Sequence, residues 1–480
     1  MKKVHFVWVL FVVCIFANAQ QVTTKVDERV ELMSIVFRLA EAEEYSYYNN
    51  SPYLKRVRNH FEPFKNREFI KYTQLLRETY AIGFDAVMDL ALALQIEKGE
   101  ITFRSNVNIA EIDKRWLPDV LPKYIKMLNA FYKQTKCDIF FKSNADFYKE
   151  VELSCQKQVT DNINFKWFGD FFGNEKIENF HLVIGLLNGK GNYGLHIEND
   201  KKQIEIYSII GAWNTDSWGI PQYNSGINGL IAHEFGHSFW NPLIDIYYSQ
   251  IKEQSEKCFD LVKQKMLKQS YGDAKTFFGE MIDNASVALY SLNQDPYYDE
   301  TDYLCVAKSS NGFIGIDSLF YALIRYQKQR DKYPTMEDYM PKIVEVFNFL
   351  DIVQIYQDIE NRSAEILGTN IENNSQNVDY RLDSICVYFS QPMNKGCNGW
   401  SPILGCETCN MPKTKDNNPK TKDNNYYWSI DGKTWVVKSV QLEPDTQYDL
   451  VFPNSFFRSP DGCFRLKSSY YLSFKTRKKE

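Results

Sequence analysis

Up to about residue 179 the apolar side chains recur mostly at helical spacing. In "VDERVELMSIVFRLAEAEEY" (26–45), Val30, Met33, Phe37 and Ala40 fall on one stripe of a helix. "NREFIKYTQLLRETY", "FDAVMDLALALQI" and "LPKYIKMLNAFYKQT" repeat the pattern, so this part is expected to be mainly helical. The texture changes at Phe180. "FHLVIGLLNG", "GNYGLHI" and "KQIEIYSIIGAW" are short, apolar, rich in β-branched residues and broken by Gly and Asn, which predicts strands. The last of them, just before the next helix, is expected to be a sheet edge able to pair with an extended peptide. Helical spacing returns in "NSGINGLIAHEFGHSFW". Asn224 or Ser225 suits its start, and Pro242, which has no N–H to give, is expected at its end. Residues 250–293 and "TMEDYMPKIVEVFNFL" read as further helices.

Near residue 366 the periodicity changes again. After the linker-like "LGTNIENNSQN", the segments "SICVYFSQPMN", "YYWSIDGKTWVVKSVQL", "TQYDLVF" and "YYLSFKT" alternate apolar and polar positions between turns, and Asp431-Gly432 is a hairpin signal. About a hundred residues of this texture predict an all-β sandwich. The heptapeptide "PKTKDNN" at 412–418 recurs at 419–425. It has no core-forming residue and reads as a duplicated, solvated loop. The expected organisation is a leader at 1–19, an α+β domain at 20–365 (20–179 mainly helical, 180–365 sheet and further helices) and a β-sandwich at 366–480.

The leader rests on Lys2, Lys3, the apolar run after them and the small-x-small Ala17-Asn18-Ala19. The run is short for a membrane span, no later stretch is apolar enough for one, and an exported, soluble product is expected. The formal charge is −5, or −7 once the two leader lysines are gone, which argues against a nucleic-acid partner. Nine cysteines then remain: Cys137, Cys155, Cys258, Cys305, Cys386, Cys397, Cys406, Cys409 and Cys463. Some are free to pair in an oxidising compartment, at least one stays single, and the connectivity is open. "CETC" (406–409) reads as a loop disulfide or two thiols rather than a metal knuckle, since no second such pair exists.

The segment "HEFGH" carries chemistry. His233 and His237 are two of only six histidines, and four residues apart on a helix they share a face and can hold one ion. Glu234 is placed to hold the attacking water rather than the metal. This is the zinc hydrolase pattern, and a chance match is expected in about one chain in a hundred of this composition. A third ligand is needed. A third histidine six residues on is excluded, because "HEFGHSFWNPL" has neither that residue nor the glycine before it. A later helix, "FFGEMIDNASVALYSL", offers Glu280, with Asn284 one turn on to orient a zinc histidine; Asp283, on another face, is the rival. No residue announces itself as the oxyanion donor among thirty-one tyrosines. His181 and His196, on expected strands, read as scaffold.

The helix "HEFGHSFWNP" with Glu280 downstream is similar to the gluzincin zinc peptidases. More closely, "VDERVELMSIVFRLAEAEEY", "WFGDFFG", "LLNGKGNYG" and "HEFGHSFWNP" resemble a family of exported bacterial proteins that carry a domain of unknown function and are regarded as metallopeptidases. The resemblance spans roughly residues 25–300. It implies an α+β zincin-like fold, Zn2+ held by His233, His237 and Glu280, Glu234 as general base, and a protein or peptide substrate. Relatives tend to show an arginine before the alanine at 285, where this chain has Asn284. "ICVYFSQPMN", "LEPDTQYDLVF" and "YYLSFKT" resemble bacterial Ig-like domains, which act as spacers or bind surface glycans or proteins. Two other functions stay open: an inactive zincin-like surface protein that binds through the Ig-like part, and a zinc hydrolase of a non-peptide amide.

Overall fold

The computed structural model describes residues 21–47, 51–173, 177–198, 204–224, 226–402, 410–414 and 425–479. The expected leader, "CETC" and most of the tandem repeat lie outside them. About half of the chain is helical, with several small sheets. Among the described residues no helix is long and apolar enough to cross a membrane.

Two compact units are present, one built from the chain up to Asp170 with Asn174–Ser238, the other from Phe171–Gly173 with Phe239 onward. The first contains a four-stranded sheet in the order Gln21–Lys25, Ile177–Gly185, Ile204–Gly211, Tyr193–Glu198. The first three strands are parallel and the last is antiparallel. Parallel neighbours need a long crossover, and here helices supply it between residues 25 and 177. The first strand, "QVTTK", has no apolar signal of its own and exists by pairing Val22 with Phe180 and Thr23 with His181.

Two expectations for this unit are corrected. Ile204–Gly211 is not an edge: it pairs on both sides, and Tyr193–Glu198 is the edge. Its run from Ile206 to Gly211 is buried throughout, as befits a strand covered on both faces. The helical reading of "FDAVMDLALALQI" holds only for Asp85–Ala93; Leu94–Glu97 instead pairs with Glu100–Phe103. Lys98 and Gly99 have φ of 50° and 77°, the left-handed pair that closes a two-residue hairpin.

The helix Ile227–Lys268 runs through Pro242 instead of ending there. The proline leaves the Ser238 carbonyl without its N–H four residues on. Burial of Trp240, Ile244 and Ile251 on the turns that follow offsets that loss. In the second unit Trp240 donates its indole N–H to Ser286 Oγ at 3.1 Å, tying the helix to its neighbour Ala274–Gln294. That neighbour starts at Asp273, whose carboxylate accepts from the N–H groups of Lys275 and Thr276 at 2.9 and 3.0 Å. Shorter helices follow as far as Arg362.

From Ile366 the chain forms strands. One four-stranded sheet has the order Ser401–Pro402, Gln447–Phe452, Tyr470–Thr476, Ser375–Val378; the other runs Tyr426–Trp428, Thr434–Lys438, Ser384–Phe389, Ile366–Thr369. Alternation explains their faces: Ile385, Val387 and Phe389 from one, and Leu472 and Phe474 from the other, join a single apolar core with Trp435, Leu450 and Phe452. Asp431-Gly432 sits in the turn of an antiparallel hairpin, where Gly432 takes φ 70°.

Candidate metal centre

The centre begins with the way the motif helix is seated. Asn224 starts it, its side-chain oxygen accepting from Gly226 N–H (3.0 Å) and its carbonyl from Ile227 N–H (3.1 Å). Phe235, on the opposite side of the helix from His233 and His237, packs among Phe165, Phe168 and Phe180, with ring centroids 5.3–5.8 Å away. The edge strand runs along the same turn. Ser238 Oγ donates to the Leu195 carbonyl at 3.1 Å, and a Cβ on Gly194 would stand 1.7 Å from the Glu234 carbonyl oxygen. Only glycine permits that approach.

With Phe235 directed at the apolar cluster, the two histidines converge. Their rings lie 4.5 Å apart at 70°, and the two Nε2 atoms are 3.2 Å apart. His233, His237 and Glu280 each offer a ligand atom, and these atoms all lie within 4.8 Å of one another. Two nitrogens at about 2.0–2.1 Å from a tetrahedral zinc are separated by roughly 3.3 Å, so the imidazole spacing fits such an ion. Two imidazoles and a carboxylate also form a familiar donor set for a divalent metal with an open position. Glu280 is 8% exposed and Glu234 is 6% exposed. Among the described residues no other group of three or more His, Cys, Asp or Glu side chains gathers in this way.

Asp283 does not join the cluster; it accepts from Ser286 Oγ at 3.2 Å. Asn284 donates to the Glu280 carbonyl at 2.8 Å and accepts from the Tyr303 hydroxyl at 2.7 Å. Its two hydrogen bonds thus run to Glu280's own backbone and to a tyrosine. Burial, followed by the neighbouring Tyr298 and then Asp283 and Glu280, pushes the Tyr303 hydroxyl well above its usual range, so it stays a donor. His181 is elsewhere: it shares a 2.7 Å hydrogen bond with Thr23 Oγ1 and stacks on Tyr207, and burial lowers it to about 4. That is a neutral scaffold histidine. His196 sits on the exposed part of the edge strand.

Two residues at the centre escaped the reading of the sequence. Gly194 carried a usable signal, an isolated glycine inside a strand pattern, which often marks close backbone approach. Tyr303 carried none. No curated protein and no solved structure matches the chain. A family model described as a domain of unknown function, DUF4932, matches residues 22–346, and the chain belongs to that family.

Proposed function

We propose that the protein is an exported zinc metallopeptidase of zincin-like architecture. The observation that carries the reading is the convergence of His233, His237 and Glu280 to within 4.8 Å, with Glu234 buried beside the first ligand. Bound zinc supplies a Lewis acid for a carbonyl oxygen and lowers the pKa of water towards neutrality. His233 and His237 present their Nε2 atoms to it from one helical face, and Glu280 adds the negative charge. Glu234 orients the attacking water, takes its proton and passes it to the leaving amine. Low solvent access strengthens both carboxylates' interactions.

The edge strand favours a peptide over other amides. Tyr193–Glu198 lies against the motif helix and, among the described residues, pairs with a neighbour on one side only, so an extended chain is a matching partner for its outer edge. The two sheets after Ile366 support an Ig-like sandwich, and the Tyr448 oxygen accepts the Glu443 N–H at 2.7 Å, as a tyrosine corner does. Such a module suits contact with a surface glycan or protein.

The test uses the purified full chain. Metal analysis is expected to give one zinc per chain, and a peptide-library digest is expected to stop with chelator. Glu234→Gln should keep the zinc and lower cleavage about 10³-fold. Cleavage that survives both chelation and Glu234→Gln would remove the peptidase reading.

A further inference from the structure

The helix Glu300–Val306 presents Asp302 and Cys305, and Lys308 one turn further on, along one face. That face meets the loop Arg458–Arg465. Asp302 forms an ion pair with Arg458 and lies 3.8 Å from Arg465. The Lys308 ammonium lies over the Phe464 ring at 5.7 Å. Between these contacts the Cys305 thiol on the helix and the Cys463 thiol on the loop are close enough to interact. The loop holds its cysteine in place: Arg458 and Arg465 bridge its ends, and Asp461 accepts from the Cys463 N–H at 3.1 Å. The adjoining side of the same helix carries Tyr303, which bonds Asn284 one turn from Glu280.

We propose that Cys305 and Cys463 form a disulfide that fastens the Arg458–Arg465 loop to this helix and, through Tyr303, positions the Glu280 ligand. The second half rests on the zinc reading above. Among the described residues no further His, Cys, Asp or Glu side chain joins the two thiols to make a metal site, which favours a covalent link. Cys305 is 3% exposed and Cys463 half-buried, so exchange starts at Cys463. Its thiolate attacks an external small-molecule disulfide, one external thiol leaves, and the Cys305 thiolate displaces the second. Two protein thiols lose two electrons and two protons, and the external disulfide takes up both as two thiols. Cys397, also within electrostatic reach of Arg465, is the competing partner.

The test begins with the full chain oxidised by glutathione disulfide, alkylated and digested without reductant. Mass spectrometry should find the peptides of Cys305 and Cys463 joined. Alkylation of both thiols, or a Cys397–Cys463 link, overturns the proposal. In support, the Cys305→Ser variant should melt about 5 °C or more below the oxidised chain and level with the reduced one. The coupling is read with Co2+. Reduction, and separately Tyr303→Phe, should weaken its binding about tenfold and alter its visible absorption. An unchanged affinity and spectrum would overturn the link to Glu280. A chain that binds no Co2+ in any form would instead sink the metal centre, while the cross-link is read without metal.

Discussion

The core of the C-terminal sheets and the ground around the motif helix handle charge differently. In the former, the buried positions are almost wholly apolar, from Ile385 to Phe474. Among the described residues the buried carboxyl groups are Asp27, Glu31, Glu234, Glu280 and Asp283, and none lies beyond residue 283. Burying a carboxylate is costly unless its charge is matched or removed, and the acids divide by how that is done. Burial alone would raise Asp27, but Arg29 and Lys25, at 2.6 and 2.8 Å, outweigh it and hold the carboxyl well below the usual range. Glu31 pairs with no cation among the described residues. It accepts from the Tyr53 hydroxyl and the Leu186 N–H, both at 2.8 Å, and burial still pushes it up to about 8, so at neutral pH it keeps its proton. Glu280 gathers with two imidazoles, where the proposed dication would supply a counter-charge. Asp27 and Glu31 are thus matched or neutralised by the protein itself, whereas Glu280 belongs to a cluster that could hold a metal.

The Glu31 solution is the easiest to break, because it depends on pH. A carboxyl raised from 4.5 to about 8 on folding binds its proton more tightly in the folded state, so its contribution is full below about pH 4.5 and disappears as pH climbs to about 8. The whole span corresponds to on the order of 5 kcal/mol by linkage. His181 slopes the other way: lowered from 6.5 to about 4, it favours folding above 6.5 and withdraws that support as pH falls through 4. The clean window is therefore about pH 6.5–8. Denaturant unfolding across it should show stability falling with pH in the native chain and a flatter profile in Glu31→Gln. Parallel profiles would mean that Glu31 is ionised in the folded protein and that some other group matches its charge.

Gly194→Ala tests the neighbourhood of the motif without touching a charge. The added methyl would meet the Glu234 backbone oxygen at 1.7 Å, so strand and helix must part, at an expected cost of about 3 kcal/mol. Because Ser238 ties the same strand to the next helical turn, zinc affinity should fall along with stability. A variant as stable as the parent would show that the edge strand is free to lift from the helix.

These elements also mark how far the sequence was readable. The motif helix was legible from Asn224 onward because capping chemistry and apolar spacing agree there, and the gathering of His233, His237 and Glu280 followed from four-residue spacing plus one acid on a later amphipathic helix. Features set by distant partners were not. Gln21–Lys25 is a strand only because Ile177–Gly185 lies beside it. The passage of the helix through Pro242 depends on where Trp240 is buried. Local pattern assigned the edge to the wrong strand, since 204–211 is more apolar for being inside the sheet. Tyr303 is one of many tyrosines until the fold brings its hydroxyl to Asn284.

The smallest expected effect lies on the other side of the comparison. Tyr448 is 2% exposed in the C-terminal core, and its oxygen is the acceptor for the Glu443 N–H at 2.7 Å. Tyr448→Phe keeps the ring against Phe474, now 5.2 Å away and nearly parallel, and removes only that acceptor. The expected loss is about 1 kcal/mol, seen as a lower denaturant midpoint with an unchanged slope. Zinc content should not move, because the change touches neither the loop Arg458–Arg465 nor the helix that carries Glu280. If zinc were lost together with this single hydrogen bond, the apolar sheets could not be regarded as energetically separate from the charged centre. The contrast between a core that buries almost only apolar side chains and a region that buries several carboxyl groups would then fail.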